Sequence, residues 1–291
     1  MTAAPPRRHS PCVAGVILAL MAACASTVSG TSAAREPPRT AFKVCQDPSN
    51  LPFSDARGHG FENRVAQLLA DALGLPVEYY NFPQRMGFIR NTLRFRLPGE
   101  AFACDVVIGV PSRSGQVAST RPYYRSAYAL VLGSRLARVD SVSAFLSLPA
   151  SERDTIRIGV YDRSPASAWL VRHGLLPQAR AYPMLNPDPE HYSGQILDHD
   201  LARGEIDAAV VWGPIAGYFS RRMPDANLRV LPLASEPGLP LAFDISLGVR
   251  HGDHEWKETL DTLLARHRRE IVAILEEFGV PLLPLDDEVA Q

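Results

Sequence analysis

The side chains best placed to do chemistry in this chain are an arginine, two tyrosines and a tryptophan, all standing where apolar runs end. From Gly109 to Leu132 the chain leaves one apolar run, passes a polar Ser-rich turn, sets Arg121, Pro122, Tyr123 and Tyr124 in a row, and turns apolar again. The row is extended, because the residue before a proline avoids helical torsions. Strand ends are where an α/β sheet exposes its ligand site, so this is how a chain crosses a cleft. Trp212 ends a second apolar run, Ile206 to Trp212. It offers an aromatic face and one N–H donor; it either lines such a site or is a core tryptophan.

Two further groups could join them. Asp47, Asn50 and Phe53 lie in a long loop, Gln46 to Gly60, that follows the first strand. Such a loop either lines a cleft, with Phe53 as an aromatic wall, or is a rigid surface loop held by its prolines. Glu62 opens a helix; it could reach the cleft, yet an acid at a helix start stabilises it with no ligand at all. Tyr123 and Tyr124 are candidates for ligand or partner contact, with at least one of them packing under the crossing strands.

Enzyme chemistry is poorly supported. His251 and His254 could ligate a metal but lack a convincing third ligand, and Asp253 suits a helix cap. Asp198, His199 and Asp200 read as the polar face of a helix. The sequence contains no nucleophile elbow, phosphate loop, zinc signature or Rossmann glycine pattern. No cofactor or metal is expected.

Alternating strands and helices must position these residues. Ala41 to Cys45 reads as a strand, a helical stripe follows from Glu62 to a cap at Gly74, and Val77 to Tyr80 is the next strand. Phe88 to Leu97 reads as a helix with Arg90, Arg94 and Arg96 near its solvent side, and Cys104 to Val110 as a buried strand. A second unit starts near Ser141. Its strands are Ile156 to Tyr161, Ala181 to Leu185, Ile206 to Trp212 and Leu228 to Leu233. Its helices begin at Ser164-Pro165, near Ile196 and at Pro214. Phe243 to Val249 leads back, and a helical stretch ends at Gly279. The fold class is α/β, with two lobes, each a mainly parallel sheet flanked by helices. The expected division is a leader at 1–25, a disordered lead-in at 26–39, lobe one at 40–132, lobe two at 133–242, and a return strand with helices docking on lobe one at 243–291.

Composition bounds the class. The 291 residues are 46% hydrophobic and 21% charged, with 30 basic and 31 acidic side chains, so no overall field draws the protein to nucleic acid or an anionic membrane. Arg7 and Arg8 precede the apolar run Val13 to Ala22 and the small residues Ala23-Cys24-Ala25, a secretory signal cleaved after Ala25. Lipoprotein processing at Cys24 is the alternative. That apolar run is too short to span a membrane, and no other stretch qualifies. Cys45 and Cys104 are then left in an oxidising compartment, where a disulfide is the default. Against it stands the offset between the end of one parallel strand and the start of its neighbour.

The order of KVCQDPSNLPFS, GFENRVAQLLADALG, CDVVIGVPSR with RPYYRSAY, GEIDAAVVWGPIAGY and FDISLGVRHGD resembles the type II periplasmic solute-binding proteins over nearly the whole mature chain. DPSNLPFS, GFEN, PQRMGFIRNTL, TRPYYRSAY and VVWGPIAGYF look most similar to the binding-protein-like components associated with pyrroloquinoline-quinone (PQQ) methanol and alcohol dehydrogenases. That resemblance implies a periplasmic accessory protein that binds rather than catalyses, with a PQQ-dependent alcohol dehydrogenase as partner. The alternative is a receptor that delivers a small, acidic or amino-acid-like ligand to an ABC permease. The resemblance places Arg113, ten residues before Tyr123, as a carboxylate clamp, a task suited to a planar guanidinium. It also expects an aspartate for the ligand's ammonium five residues after Asp207, where this chain has Trp212. A weaker third reading is a dehydratase-like enzyme, since some proteins of this fold use cleft carboxylates.

Overall fold

A computed structural model describes residues 39–84, 87–184 and 192–285. The leader, Cys24 and the lead-in up to residue 38 lie outside these residues. In chain order come β1 (Phe42–Gln46), the two-residue strands β2 (Ser49–Asn50) and β3 (Ser54–Asp55), α1 (Phe61–Leu73), β4 (Val77–Asn81), α2 (Phe88–Asn91), β5 (Val106–Pro111), β6 (Ala118–Ser119) and β7 (Tyr124–Leu132). Next are α3 (Val142–Leu146), α4 (Ala150–Arg153), β8 (Ile158–Tyr161), α5 (Pro165–Arg172), β9 (Ala179–Tyr182), a π-helical turn Ile196–Leu201, β10 (Ala208–Trp212), α6 (Gly213–Arg222) and β11 (Arg229–Pro232). The return strand β12 (Ala242–Val249) leads to α7 (His254–Arg266) and α8 (Arg268–Glu277).

The strands form one ladder in the order β4-β1-β5-β12-β7-β10-β8-β9. Its two ends are parallel, β4-β1-β5 and β10-β8-β9. The middle is antiparallel, because β7 and β12 run between the lobes. Tyr124 to Ala127 of β7 pair with β12 in the first lobe, and the rest of β7 pairs with β10 and β11 in the second. At the junction Arg125 meets its register partner Asp244 in a 3.0 Å ion pair.

Each sheet is covered on both faces, as parallel sheets require. In the first lobe Phe42, Phe61, Val65, Leu69 and Val106 pack with Leu260, Ile271 and Leu275, so α1, α7 and α8 share one core. The opposite face carries Phe88, Leu93, Val107 and the Cys45–Cys104 disulfide. The second lobe buries Trp169 and Phe145 on one face, and Ile196, Leu197 and Phe219 on the other.

The disulfide overcomes the strand offset. Cys104 precedes β5, where Asp105 N–H bonds Lys43 O at 2.8 Å and draws the incoming chain onto β1, leaving the two cysteine Cα atoms 5.3 Å apart. The expected Phe88 to Leu97 helix is corrected to one turn. Thr92 leaves helical torsions and Leu93 is fully buried beside Cys104, so tertiary packing overrides helix propensity. The helix near Ile196 is a π-helical turn, and its Asp200 is not a solvated face. That carboxylate is 6% exposed and is bonded by the Tyr182 hydroxyl and paired with His199 and Arg180. Asp253 precedes α7 without capping it through its side chain, because the carboxylate pairs with Arg250 at 2.8 Å.

The lobes meet again behind the ladder. Phe278, just past α8, stacks on Tyr218 of α6 with centroids 5.8 Å apart and packs edge-on against Phe61 of α1 at 6.0 Å. Gly217 lies so close to Gly279 O that a Cβ would stand 1.9 Å from it. Only a bare backbone fits there.

Candidate functional site

Between the lobes runs a cleft in two connected sections of about 760 and 380 Å³ that share Asn50, Gln84, Gly109, Pro111, Tyr128 and Trp212 as lining. One wall comes from the first lobe: the loop after β1, the turn around Phe88, and the end of β5. The other comes from the ends of β8 and β10, with Tyr128 of β7. This is the crevice beyond the carboxyl ends of parallel strands, where open α/β sheets take ligands.

The loop after β1 is built, not slack. Asn63, at the third position of α1, receives the N–H groups of Gly60 and Asp55 on Oδ1, and its own Nδ2 donates to Gln46 Oε1 at 2.6 Å. Gln46 in turn donates to Asn81 at 2.8 Å. A buried pair of amides, fully engaged, fixes the base of the loop. The carbonyls of Pro52 and Phe53 accept the N–H groups of Phe61 and Glu62 at 2.9 Å, satisfying the free donors at the start of α1. Asp47 accepts from the backbone N–H of Ser49 at 2.9 Å and of Gln84 at 2.6 Å. Its carboxylate therefore shapes the wall. The loop also touches the other lobe: Ser193 Oγ bonds Leu51 O at 3.2 Å and Asn50 Oδ1 at 3.3 Å, and Phe53 packs against the cores of both lobes.

At the cleft floor Trp212 sits in an aromatic group. Its ring centroid lies 5.3 Å from Tyr128, its register partner on β7, and 5.9 Å from Phe243 on β12. The Trp212 side chain also lies beside the Tyr124 phenol and lowers its pKa slightly against the larger effect of burial. Burial, reinforced by the nearby Glu62 charge, holds Tyr124 neutral by pushing its pKa well above the usual tyrosine value. Burial likewise pushes Tyr128 up to about 12.

Among the described residues Glu62 is the only carboxyl in the smaller section, and it rests on the backbone of Gly109. Gly109 has φ +90°, and a Cβ there would stand 1.9 Å from Glu62 Oε1, so a glycine is required for the carboxyl to lie against β5. Desolvation pushes the Glu62 pKa well above its ordinary value, and the Asp47 charge adds to this. The shift favours the protonated acid, which can donate as well as accept a hydrogen bond.

The other candidates separate. Asp47, Asn50, Phe53, Glu62, Tyr124 and Trp212 line the cleft together. Tyr123 is 7% exposed, packs edge-on against Tyr124 in the core and does not line it. Arg113 and Arg121 are exposed and outside the lining; Arg121 instead gives its backbone N–H to Asp261 of α7. Lining residues not anticipated from sequence are Tyr128, Tyr161, Tyr192 and Ser193 from the second lobe, and Gln84 from the first. Tyr128 could have been found by its place on the apolar run after Tyr124. Nothing local marks the rest. His199, Asp200 and Glu205 lie close enough to hold a cation, but Arg180 is paired with both carboxylates, at 3.3 Å each.

No family model matches the chain. Among solved structures, the periplasmic binding protein XoxJ from Methylobacterium extorquens AM1 is 35% identical, with 84% of this chain and 100% of that one covered at a TM-score of 0.66. The chain belongs to the type II periplasmic binding proteins. As a binding protein of the periplasm it is also 29% identical to Protein MoxJ of Paracoccus denitrificans over 259 residues, which cover 84% of this chain and 90% of that one. MxaJ from Methlophaga aminisulfidivorans MPT, at 22% identity and a TM-score of 0.70 over 83% of the chain, shares the fold. Among the described residues of this binding protein no helix is long and apolar enough to cross a membrane.

Proposed function

We propose that the protein is a non-enzymatic periplasmic accessory protein of a PQQ-dependent methanol or alcohol dehydrogenase, whose cleft takes hold of the enzyme or a segment of it. Its likeness to MoxJ and XoxJ supports the periplasmic binding-protein part, and the resemblance of DPSNLPFS, TRPYYRSAY and VVWGPIAGYF supports the dehydrogenase part. On this reading the signal is cleaved after Ala25, the first lobe comprises 40–132 with 243–291, the end of β7 reaching across to pair in the second, and the second comprises 133–242.

One observation carries the choice between a protein and a small solute. The described lining holds no basic side chain, and its two carboxyls are Asp47, engaged by backbone N–H groups, and Glu62, whose burial favours the protonated form. A zwitterionic amino acid would leave its carboxylate without a cation there, and an uncompensated buried charge costs several kcal/mol, about 3–5. Arg113, the clamp that the receptor reading needs, stands outside. A segment of polypeptide brings apolar side chains and neutral amides. These suit an aromatic floor with hydroxyl and amide edges.

The test is native mass spectrometry of the protein released gently from its own periplasm. A stoichiometric complex with a quinoprotein dehydrogenase subunit is expected. A monomer carrying the mass of a small molecule would replace this reading with the receptor.

A further inference from the structure

The arginines of the segment after β4 do not sit on the solvated helix face that their spacing suggested. The helix ends at Asn91, and Arg90, Arg94 and Arg96 project from a turn and an irregular run. Arg94 donates through Nη2 to Gln116 O, which ties this run to the loop after β5 that carries Arg113. Arg96 lies over the Phe102 ring at 4.8 Å. Between them stand Phe95, 38% exposed and stacked on Tyr80, and Leu97, 50% exposed.

The charge is unbalanced. Within residues 87–116 the ionic side chains are Arg90, Arg94, Arg96, Glu100, Asp105 and Arg113, and Asp105 is already paired with Arg250 at 2.8 Å. Arg90, Arg94, Arg96 and Arg113 have no ion-pair partner among the described residues. Phe88, Ile89, Ser114 and Gln116 of the same stretch line the cleft. The basic ledge is therefore the outer side of the first-lobe wall, contiguous with the site.

We infer that this ledge, Arg90 to Leu97 with Arg113, is the electrostatic docking surface for an acidic face of the protein that occupies the cleft; this rests on the dehydrogenase reading above. Arginine and aromatic side chains interleaved on one surface are what protein interfaces concentrate, and guanidinium groups match carboxylates in pairs of parallel hydrogen bonds. The described cleft lining holds no basic side chain, so the ledge supplies the steering and the cleft the grip. A lipid surface fits less well, because the formal net charge is -1 and the ledge flanks a concave mouth.

The experiment measures the affinity of the full-length mature protein for the purified holo-dehydrogenase between about 25 and 400 mM salt. The variants are Arg90→Glu/Arg96→Glu/Arg113→Glu, which spares the Arg94 tie, and Leu97→Asp, a single change at an exposed position. The triple variant is expected to bind about tenfold more weakly or worse at low salt and to approach wild type at high salt, with Leu97→Asp weakened as well. Equal affinity and salt slope for wild type and triple variant would overturn the ledge and leave the cleft reading standing. No association of the wild type at any salt would remove the dehydrogenase reading, and the ledge with it. Sedimentation of wild type but not the triple variant with phosphatidylglycerol vesicles, with dehydrogenase affinity unchanged, would assign the ledge to lipid instead.

Discussion

Asp207 and Glu62 are both carboxyls taken out of water, and the protein treats them in opposite ways. Asp207, 4% exposed in the second lobe, accepts the Arg157 backbone N–H at 2.8 Å and Arg157 Nε at 3.1 Å, and pairs with Arg135 at 3.2 Å. Burial pushes its pKa up, but the hydrogen bonds from Arg157 and Arg135 outweigh this and hold it below the usual carboxylate range. Glu62 has no such partner. It lies on Gly109 under the cleft, and desolvation, with the Asp47 charge, holds it well above the usual range. A paired carboxylate ties elements together, whereas an unpaired carboxyl at a cavity floor is left free for what enters. The second lobe thus spends its arginines on structure, and the first keeps a group in reserve.

The difference shows first in stability. Asp207→Ala should destabilise the protein by about 2–4 kcal/mol at neutral pH, because it removes several charge-assisted hydrogen bonds at a buried junction. The sign with pH follows from the depressed pKa: the contribution is complete above the ordinary carboxylate value and is lost as pH falls through the lower value in the folded state. Denaturant unfolding of wild type and variant should therefore converge in strong acid. A constant difference down to low pH would mean that Asp207 acts by packing alone.

Glu62→Gln should do the reverse. Because the folded state holds the Glu62 proton more tightly than the unfolded chain, stability declines as pH rises from the ordinary glutamate value through the raised one. The glutamine variant lacks that decline, so it should match wild type near pH 4 and exceed it by about 1 kcal/mol or more at pH 8. Thermal melts across that range would read this. A variant less stable than wild type at pH 8 would show that Glu62 is a structural anion after all, and the contrast with Asp207 would disappear.

Sequence carried the parts whose cause is local. The apolar stripe of α1 and its closing Gly74 lie within the helix itself, and Ser141 and Ser164 act as N-caps through their own hydroxyls, bonding Ala144 N–H and Ser167 N–H. The crossings were visible because each is an apolar strand with an abrupt polar entry. What could not be read depends on distant partners. The helix after Gly87 fails because Leu93 is drawn into a core completed by Cys104 and Val117. The state of Glu62 depends on a positive-φ glycine on another strand and on Asp47 across the loop. Arg113 has the right spacing for a clamp but lies exposed outside the cleft lining. Trp212 stands out in the sequence as a candidate; its contact with Tyr128 depends on the register of β7 against β10.

Trp212 gives the most direct test, because it joins the aromatic floor to both lobes. The measurement is the dissociation constant of the holo-dehydrogenase for wild type and for Trp212→Ala at one salt concentration, with folding of the variant checked by its thermal melt. An aromatic anchor at the centre of an interface costs about 2 kcal/mol or more on truncation, about a thirtyfold loss of affinity. That loss, from a folded variant, is the expected result; an unchanged dissociation constant would show that the partner does not use the cleft.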